Sequence, residues 1–581
     1  MSAHPKPEDN KTASEHVAEH AVEEHGGSDN TTDAKAIDQA LAAGQAVQMR
    51  SELDDLPITK AFRVFWRVTS LCMLAAFASA LEGYQYTLTA SIVANKGFIR
   101  QMANGGTKLA PEHVSLWGGS LSLGQFVGVL GLQACIDRLG RKWAMHITWF
   151  ALVISVLVES VSSNWIHWFV AKLIAGVGLG MMQATYPVYI SELSPTQIRA
   201  GLTTAYQFWN VLSHIFSPLA LRQLSYTDPY NWKTAIYTQW GMLVVMLGIN
   251  LFVPESPCEF ILPTAAVFPC PETDVNFLGW LVQKDKIPQA EKVLTMAYKN
   301  VQSYNVKEQL SIIIATIERH RLVSVEQKSQ LKEIFSGINL WRLLIAFWPK
   351  AMQQLVGQSL TNNYSTYFFQ LAGNSDAFTV TMILALCQLV GVMACALFAD
   401  KFGKRWFTIG MFGSAAVAVL CIGIVGCFDY TSKDLGSLLV FFGCVSNFGC
   451  IGGAGIAYTY VAEIPTQRLR ARTGSVALMG SFLLGILFNY TVPFMLQVWA
   501  VKSGFFFGTV GILSCAVGWY ILPEMARRTP AEIDEMFQDK IKPRAFRKHV
   551  TQVQIYLQEK EEREKEAREV KGVQEVQEKL G

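Results

Sequence analysis

The chain has 581 residues, of which 51% are hydrophobic and only 16% charged, and its mean hydropathy is +0.25. This composition is too apolar for an ordinary soluble enzyme and favours a membrane protein. The 49 basic and 46 acidic residues leave a formal net charge of +3, so the charge balance gives no sign of a nucleic-acid partner. The 11 cysteines show no metal-type spacing, and we expect neither a metal nor a cofactor.

Twelve stretches with few charges are each long enough to cross the hydrocarbon core of a membrane. Six of them precede a long polar segment and six follow it, which predicts an all-α polytopic membrane protein with two six-helix halves. The predicted spans lie at residues 64–91, 113–136, 143–163, 166–190, 200–222, 234–253, 343–372, 378–399, 405–427, 436–462, 471–498 and 503–522.

The polar segments set the expected domain boundaries. The N-terminus has no apolar core of a signal peptide, and its composition is that of a disordered tail. We expect a disordered cytosolic tail at 1–62, a six-helix bundle at 63–254, a cytosolic central loop with an insertion and short helices at 255–340, a second bundle at 341–523, and a charged, helical cytosolic tail at 524–581.

Two charged motifs occur once in each half. DRLGRK follows the second span and DKFGKR follows the eighth, while a Glu precedes an Arg by seven residues after both the fourth and the tenth. A single basic turn could serve only to set topology, but the repetition predicts ion pairs that close the cytosolic face. The expected gate residues are Asp137, Arg138, Arg141, Glu192, Arg199, Asp400, Lys404, Arg405, Glu463 and Arg470.

Three glycines at alternate positions, Gly176, Gly178 and Gly180, lie within the fourth span. They follow no strand and lack the spacing of a nucleotide-binding loop. We expect them to allow close packing against a neighbouring helix.

In combination these motifs resemble the sugar porter family of the major facilitator superfamily. The resemblance covers most of residues 64–537 and rests on DRLGRK, AGVGLG, PVYISELSPTQIR, PESP, QQLVGQ, DKFGKR, AEIPTQRLR and PEMARRTPAEIDEMF. EGY in the first span and the EIP form resemble fungal members, of the hexose and alpha-glucoside permease type. The family implies two six-helix bundles that rock about a central site, in agreement with alternating access between related halves.

The resemblance also implies a set of substrate-binding residues. A sugar offers many hydroxyl groups and no charge, so neutral amides and aromatic faces suit it. Interhelical hydrogen bonding is the alternative role for such side chains, above all for Asn489. Ser359 stands where many members have an Asn, which leaves the identity of the sugar open. The expected binding residues are Gln207, Gln353, Gln354, Ser359, Asn363, Tyr458 and Asn489.

The first span bears on how transport would be driven. Proton-coupled members carry G-Y-D in this span and an Arg in the fourth, whereas this chain has GYQ at 83–85 and Lys172. Gln85 cannot titrate, which favours facilitated diffusion. Glu82 lies on nearly the same helical face, and an ionisable group inside a membrane span indicates function because its burial is costly. We expect Glu82 to be the partner of Lys172, and proton symport through Glu82 and facilitated diffusion both stay open.

The sequence thus predicts transport of a mono- or disaccharide by alternating access and no enzymatic reaction. A sugar sensor of the same fold that does not transport, and a transporter of another polyol such as quinate, are the alternatives. We expect the sugar, the lipid bilayer and, in symport, a proton as partners, with no nucleic acid and a functional monomer. The expected location is the plasma membrane, with both termini in the cytosol.

Overall fold

The computed structural model describes most of the region in which the spans were predicted. All regular elements of the described residues are helices. The predicted N-terminal tail, most of the central loop and most of the C-terminal tail lie outside the described residues. Those described are 66–106, 109–139, 141–193, 198–252, 333–372, 376–428, 433–466, 469–526, 528, 530–547, 549–551 and 555.

The helices follow the predicted spans in chain order. The first half contains α1 (Trp66–Phe77), α2 (Ser79–Ile92), α3 (Lys96–Met102), α4 (Pro111–Leu139), α5 (Arg141–Val161), α6 (Trp165–Leu193), α7 (Arg199–Ser213), α8 (Phe216–Thr227) and α9 (Lys233–Phe252). The second half contains α10 (Gly337–Leu355), α11 (Ser365–Leu371), α12 (Ala377–Phe402), α13 (Lys404–Val425), α14 (Lys433–Glu463), α15 (Arg470–Trp499) and α16 (Ser503–Ile521), and α17 (Pro530–Gln538) follows it.

Three of the described spans are each divided into two helical segments. The first is interrupted at Ala78, the fifth between Ser213 and Phe216, and the seventh at Gly357, whose φ of +96° suits a residue without a Cβ. A π-helical turn at Ser359–Asn363 then leads into α11. A departure from regular α-helix like that of the seventh span occurs where membrane helices line a site rather than lipid, because the freed backbone groups need partners.

The outer faces of the helices are apolar and exposed, as lipid contact requires. On α5, Trp143, Phe150 and Leu157 repeat every seven residues and are 60%, 60% and 52% exposed. Glu159, on the opposite face of the same helix, has no exposed surface. Eight helical stretches of the described residues are long and apolar enough to cross a membrane by length and composition. α5 therefore separates a lipid side from a polar interior.

The two halves meet along several helix pairs. α4 packs along α15, α2 packs against α11, and both segments of the fifth span, α7 and α8, pack along α12. The described residues up to 530, together with 540–547, form one compact unit that contains both halves. A second unit includes residues 531–539, in which Glu532 accepts a hydrogen bond from Thr551 at 3.3 Å. The polar residues considered below lie in the first unit.

Candidate functional site

The seventh span carries a group of buried oxygen atoms without hydrogen-bond partners. They are Oε1 of Gln354, Oε1 of Gln358 and Oγ of Ser359, at the end of α10 and the start of the π-helical turn. Buried polar atoms in native proteins are nearly always paired, so an unpaired group inside a membrane span is a candidate binding site for a polar molecule. Three such atoms within six residues can accept hydrogen bonds from a molecule rich in hydroxyl groups.

Unlike the side-chain oxygen of Gln354, that of Gln353 has a hydrogen-bond partner. Gln353 Oε1 accepts a hydrogen bond from the Lys350 ammonium at 3.2 Å. The same ammonium lies 3.4 Å from the centre of the Tyr458 ring, in a cation–π contact. Gln353 and Tyr458, expected as sugar ligands from separate spans, are thus brought together by a lysine that the sequence analysis did not nominate.

Asn363 and Asn489 bond to each other instead. Asn363 Nδ2 donates to Asn489 Oδ1 at 3.0 Å, and Asn489 Nδ2 donates to Ser122 Oγ at 2.7 Å. The chain of hydrogen bonds joins the seventh and eleventh spans to the second, across the two halves. This is the interhelical hydrogen bonding that was the alternative role for Asn489.

Gln207 lies on α7, the first segment of the fifth span, and is half-buried. Its side-chain amide makes no hydrogen bond to another residue in the described part of the chain. Its neighbour Phe208 packs on a small apolar cluster of Val211, Val392 and Ile451, which spans both halves. The Gln207 amide is therefore available to a ligand.

Glu82 lies in a network of neutral donors in the first half. Its side chain is almost fully buried, and its two oxygens accept hydrogen bonds from Gln183 at 2.7 Å and from the Tyr206 hydroxyl at 2.5 Å. The Tyr86 hydroxyl extends the network by accepting hydrogen bonds from Gln183 and Gln125. The opposite charge that acts on Glu82 through space is the Lys350 ammonium, which belongs to the other half.

Gln85 belongs to a second network one turn away. Its amide donates to Gln239 Oε1 at 2.5 Å and to Glu159 Oε1 at 3.2 Å, and its Oε1 accepts from Lys172 at 3.0 Å. Gln239 in turn donates to Glu159 at 3.1 Å. All four side chains are fully buried, and they come from four different spans. With one carboxylate and one ammonium, this network is electrically balanced.

The expected pairing of Lys172 with Glu82 is wrong. Lys172 Nζ lies 2.8 Å from Glu159 Oε1, and neither side chain is exposed. Glu82 and Gln85 lie three residues apart and diverge by about 60° around the helix axis. The two side chains therefore enter separate networks, because α5 brings Glu159 to Lys172 while Glu82 points to α6 and α7.

The gate motifs are only partly described. In the second half, Lys404 Nζ lies 2.8 Å from Glu463 Oε2, so two of the expected gate residues form an ion pair, although both belong to the same half. Glu524, from the PEMARR segment, accepts hydrogen bonds from the backbone N–H of Lys404 at 2.8 Å and of Arg405 at 3.2 Å. The carboxylate thereby caps the start of α13. The side chains of Asp137, Arg138, Arg141, Glu192, Arg199, Asp400 and Arg470 lie outside the described residues.

A further polar network joins the halves at the break in the fifth span. His214 Nδ1 lies 2.7 Å from Oε1 of Gln388, whose amide donates to Asn447 at 2.7 Å and to Asn362 at 3.2 Å. The other ring nitrogen of His214 is buried without a partner. The two donors of Gln388 are used, so its oxygen is an acceptor and Nδ1 of His214 is the donor.

Sequence analysis missed several of these residues, and only some could have been found. Glu159 and Lys350 are ionisable groups inside predicted spans, which is the same signal that identified Glu82. Gln183, Gln239 and Gln388 are single amides in apolar helices, and nothing in their local sequence distinguishes them from polar residues that only join helices.

The fold and these polar networks are those of a membrane transporter with two related halves. The sugar (and other) transporter family matches residues 71–537, most of the chain. The chain therefore belongs to this family, the sugar porters of the major facilitator superfamily. It is an integral membrane protein of the class that transports sugars.

Known relatives agree with this assignment. Hexose transporter HXT10 of Saccharomyces cerevisiae is 25% identical over 511 residues, covering 84% of this chain and 88% of that protein. Hexose transporter 2 of Kluyveromyces lactis is also 25% identical and covers 82% and 83%. The proton:xylose symporter XylE bound to 6-bromo-6-deoxy-D-glucose superposes with a TM-score of 0.62 at 18% identity, over 81% of this chain and 99% of that one. The predicted fold of two six-helix bundles is confirmed.

Proposed function

We propose that this chain transports a sugar or a related polyol by alternating access, driven by a proton that binds Glu82. The substrate part of the proposal rests on the unpaired acceptors of Gln354, Gln358 and Ser359 in a broken span. Discontinuous helices at the interface of two repeats are where such transporters bind their substrates. The relatives named as hexose transporters support a sugar as the substrate class.

The observation that carries the coupling is the placement of Glu82 and Lys350 in opposite halves. Glu82 has its hydrogen-bond donors in its own half and its counter-charge in the other. When the halves move relative to each other, the stabilisation of the ionised carboxylate by Lys350 changes. A proton that binds in one conformation can then leave in the other, which is the requirement for symport.

Facilitated diffusion is the second candidate, supported by the network around Gln85. The family position for the coupling carboxylate holds an amide here, and Lys172 already has its partner in Glu159. This balanced network offers no obvious place for a transported proton. In that case Glu82 would serve only to join α2 to α6 and α7.

Uptake of labelled sugars into hexose-transport-deficient yeast tests the two candidates. Wild type and Glu82→Gln are compared at mildly acidic and at neutral external pH, with and without a protonophore. Symport predicts protonophore-sensitive accumulation that Glu82→Gln abolishes while sugar exchange survives. Equilibration of the sugar that does not depend on pH and persists in the variant would contradict proton coupling and support facilitated diffusion. Glu112→Gln, at the exposed start of α4, is the matched control.

Absence of any sugar flux, despite expression at the cell surface, would instead favour the sensor.

The remaining expectations stand as part of the proposal. They are the domain boundaries at 62, 254, 340 and 523, cytosolic termini, a gate of ion pairs at the cytosolic face, a functional monomer and the plasma membrane.

A further inference from the structure

Lys350 is a buried cation that lacks a contact carboxylate. Its side chain is in the membrane interior on α10 and is 5% exposed. Of its three donors, one is used by Gln353 at 3.2 Å, and the Tyr458 ring lies beneath the ammonium at 3.4 Å. Among the described residues, the ion pairs within 4.0 Å do not include Lys350. The ammonium therefore retains donors for another partner.

Glu82 is not the carboxylate that the Lys350 ammonium lacks. Both of its oxygens are held by Gln183 and Tyr206 in the first half, and it acts on Lys350 only through space. Lys172 provides the contrast within the same protein, because it contacts a carboxylate at 2.8 Å and an amide oxygen at 3.0 Å. A buried ammonium with so few contacts carries a desolvation cost that an anion could offset.

The position of Lys350 links it to the proposed substrate site. Lys350, Gln353 and Gln354 lie three and four residues apart and share one face of α10. Gln354 and Ser359 carry unpaired buried oxygens that need hydroxyl donors. A cation and hydrogen-bond acceptors on the same span are complementary to a molecule with a carboxylate and several hydroxyl groups.

We propose that the substrates of this transporter include sugar acids, that is, polyhydroxylated carboxylates such as aldonates and uronates. This inference rests on the proposed transport function and specifies its substrate class. The substrate carboxylate binds the Lys350 ammonium, and its hydroxyl groups donate to Gln354 and Ser359. Two carboxylates in one site repel each other, so binding of the anion favours protonation of Glu82. One proton then accompanies one anion. The net charge of the site is therefore the same with and without the bound substrate.

The first test compares acids with their neutral counterparts in uptake and competition. Labelled gluconate and galacturonate are compared with glucose and galactose in cells that express wild type, Lys350→Gln or Lys350→Arg. We expect Lys350→Gln to lower acid uptake about tenfold or more beyond its effect on neutral-sugar uptake, because both lose the counter-charge of Glu82 but only the acid loses a hydrogen bond to a charged group. Lys350→Arg should retain part of the acid uptake. Lys502→Gln, an exposed lysine beyond α15, is the control.

Two results would overturn the proposal. In one, neutral sugars are transported while the acids neither cross nor compete. In the other, Lys350→Gln lowers neutral and acid uptake alike and removes the proton dependence of both, which would make Lys350 only the counter-charge of Glu82.

Binding to the purified full-length protein separates this proposal from that of transport. We expect gluconate, and not glucose at the same concentration, to raise the Tm of wild type in detergent but not that of Lys350→Gln. If this Tm shift is found but no solute crosses the membrane, the result supports the sugar-acid site and contradicts the proposed transport function. A variant whose Tm without ligand is unchanged shows that loss of binding is not loss of folding. No shift by any acid in wild type would refute the site.

Discussion

Glu159 and Lys172 form an ion pair without exposed atoms, held in place by Gln85 and Gln239. Removing one partner of such a pair leaves a buried charge uncompensated, whereas removing both is often tolerated. Comparing the stability of single and double variants therefore distinguishes a stabilising ion pair from a pair of substrate-binding residues.

Glu159→Gln alone is expected to lower the free energy of unfolding by about 3 kcal/mol or more. The double variant Glu159→Gln/Lys172→Met should recover part of that loss, because no ammonium is left unpaired. Thermal unfolding of the purified protein in detergent measures both. A double variant less stable than Glu159→Gln would show that the two charges do not stabilise the fold as a pair.

Ser359 allows a prediction about the substrate at the same scale. Its buried Oγ has no partner in the described protein, so Ser359→Ala should leave the Tm unchanged or raise it. If Oγ instead accepts a substrate hydroxyl, the half-saturation concentration for uptake should rise by roughly fivefold, the effect of one neutral hydrogen bond. A variant with unchanged uptake would remove Ser359 from the site.

At the scale of the elements, the contact between α4 and α6 depends on glycines from both helices. A Cβ at Gly176 would overlap the carbonyl oxygen of Leu121, and one at Gly180 would overlap that of Gln125. On α4, a Cβ at Gly128 would overlap the carbonyl oxygen of Val177. Small residues that let two backbones approach are typical of membrane helix pairs. The expectation that the glycine run serves close packing is thus confirmed for Gly176 and Gly180.

Gly176→Ala should therefore destabilise the protein by roughly 1–3 kcal/mol, as overpacking does, and lower the Tm in detergent. Gly248→Ala is the matched control, since a Cβ at Gly248 on α9 meets no atom within 4 Å. The control should be neutral or slightly stabilising, because Ala is the better helix former. Equal behaviour of the two variants would contradict the close contact.

At the scale of the whole molecule, an ion pair joins the halves on the face opposite the DKFGKR turn. Arg222 Nε on α8 lies 3.5 Å from Asp376 Oδ2 at the start of α12, and the two side chains are 37% and 39% exposed. Asp376 also caps α12 by accepting hydrogen bonds from the N–H and hydroxyl of Thr379. Burial acts to raise the pKa of Asp376, but these hydrogen bonds and the Arg222 charge outweigh it and hold the pKa below its usual value.

A carboxyl group with a lowered pKa contributes its stabilisation above its usual pKa and loses it as the pH falls through the lowered value. The pair is therefore intact at both mildly acidic and neutral pH. Asp376→Asn should favour opening on this face and change the half-saturation concentration by less than about fivefold, equally at both pH values. Asp228→Asn, an exposed carboxylate near the same face, is the control. An effect of Asp376→Asn confined to one pH would refute this account.

The sequence by itself determined the number and order of the spans and the family. Apolar length and local motifs such as DRLGRK and QQLVGQ are properties of contiguous residues, so they can be recognised without a structure. Glu82 was found in the same way, as a charge inside an apolar stretch.

Only the tertiary structure decided which charges meet. Lys172 pairs with Glu159 and not with Glu82, and Lys350 brings Gln353 and Tyr458 together, because helices distant in sequence turn particular faces toward each other. A rotation of about 60° around α2 separates Glu82 from Gln85 and assigns them to different networks. The local sequence does not contain that information, since the partners of a buried side chain are set by the packing of the whole bundle.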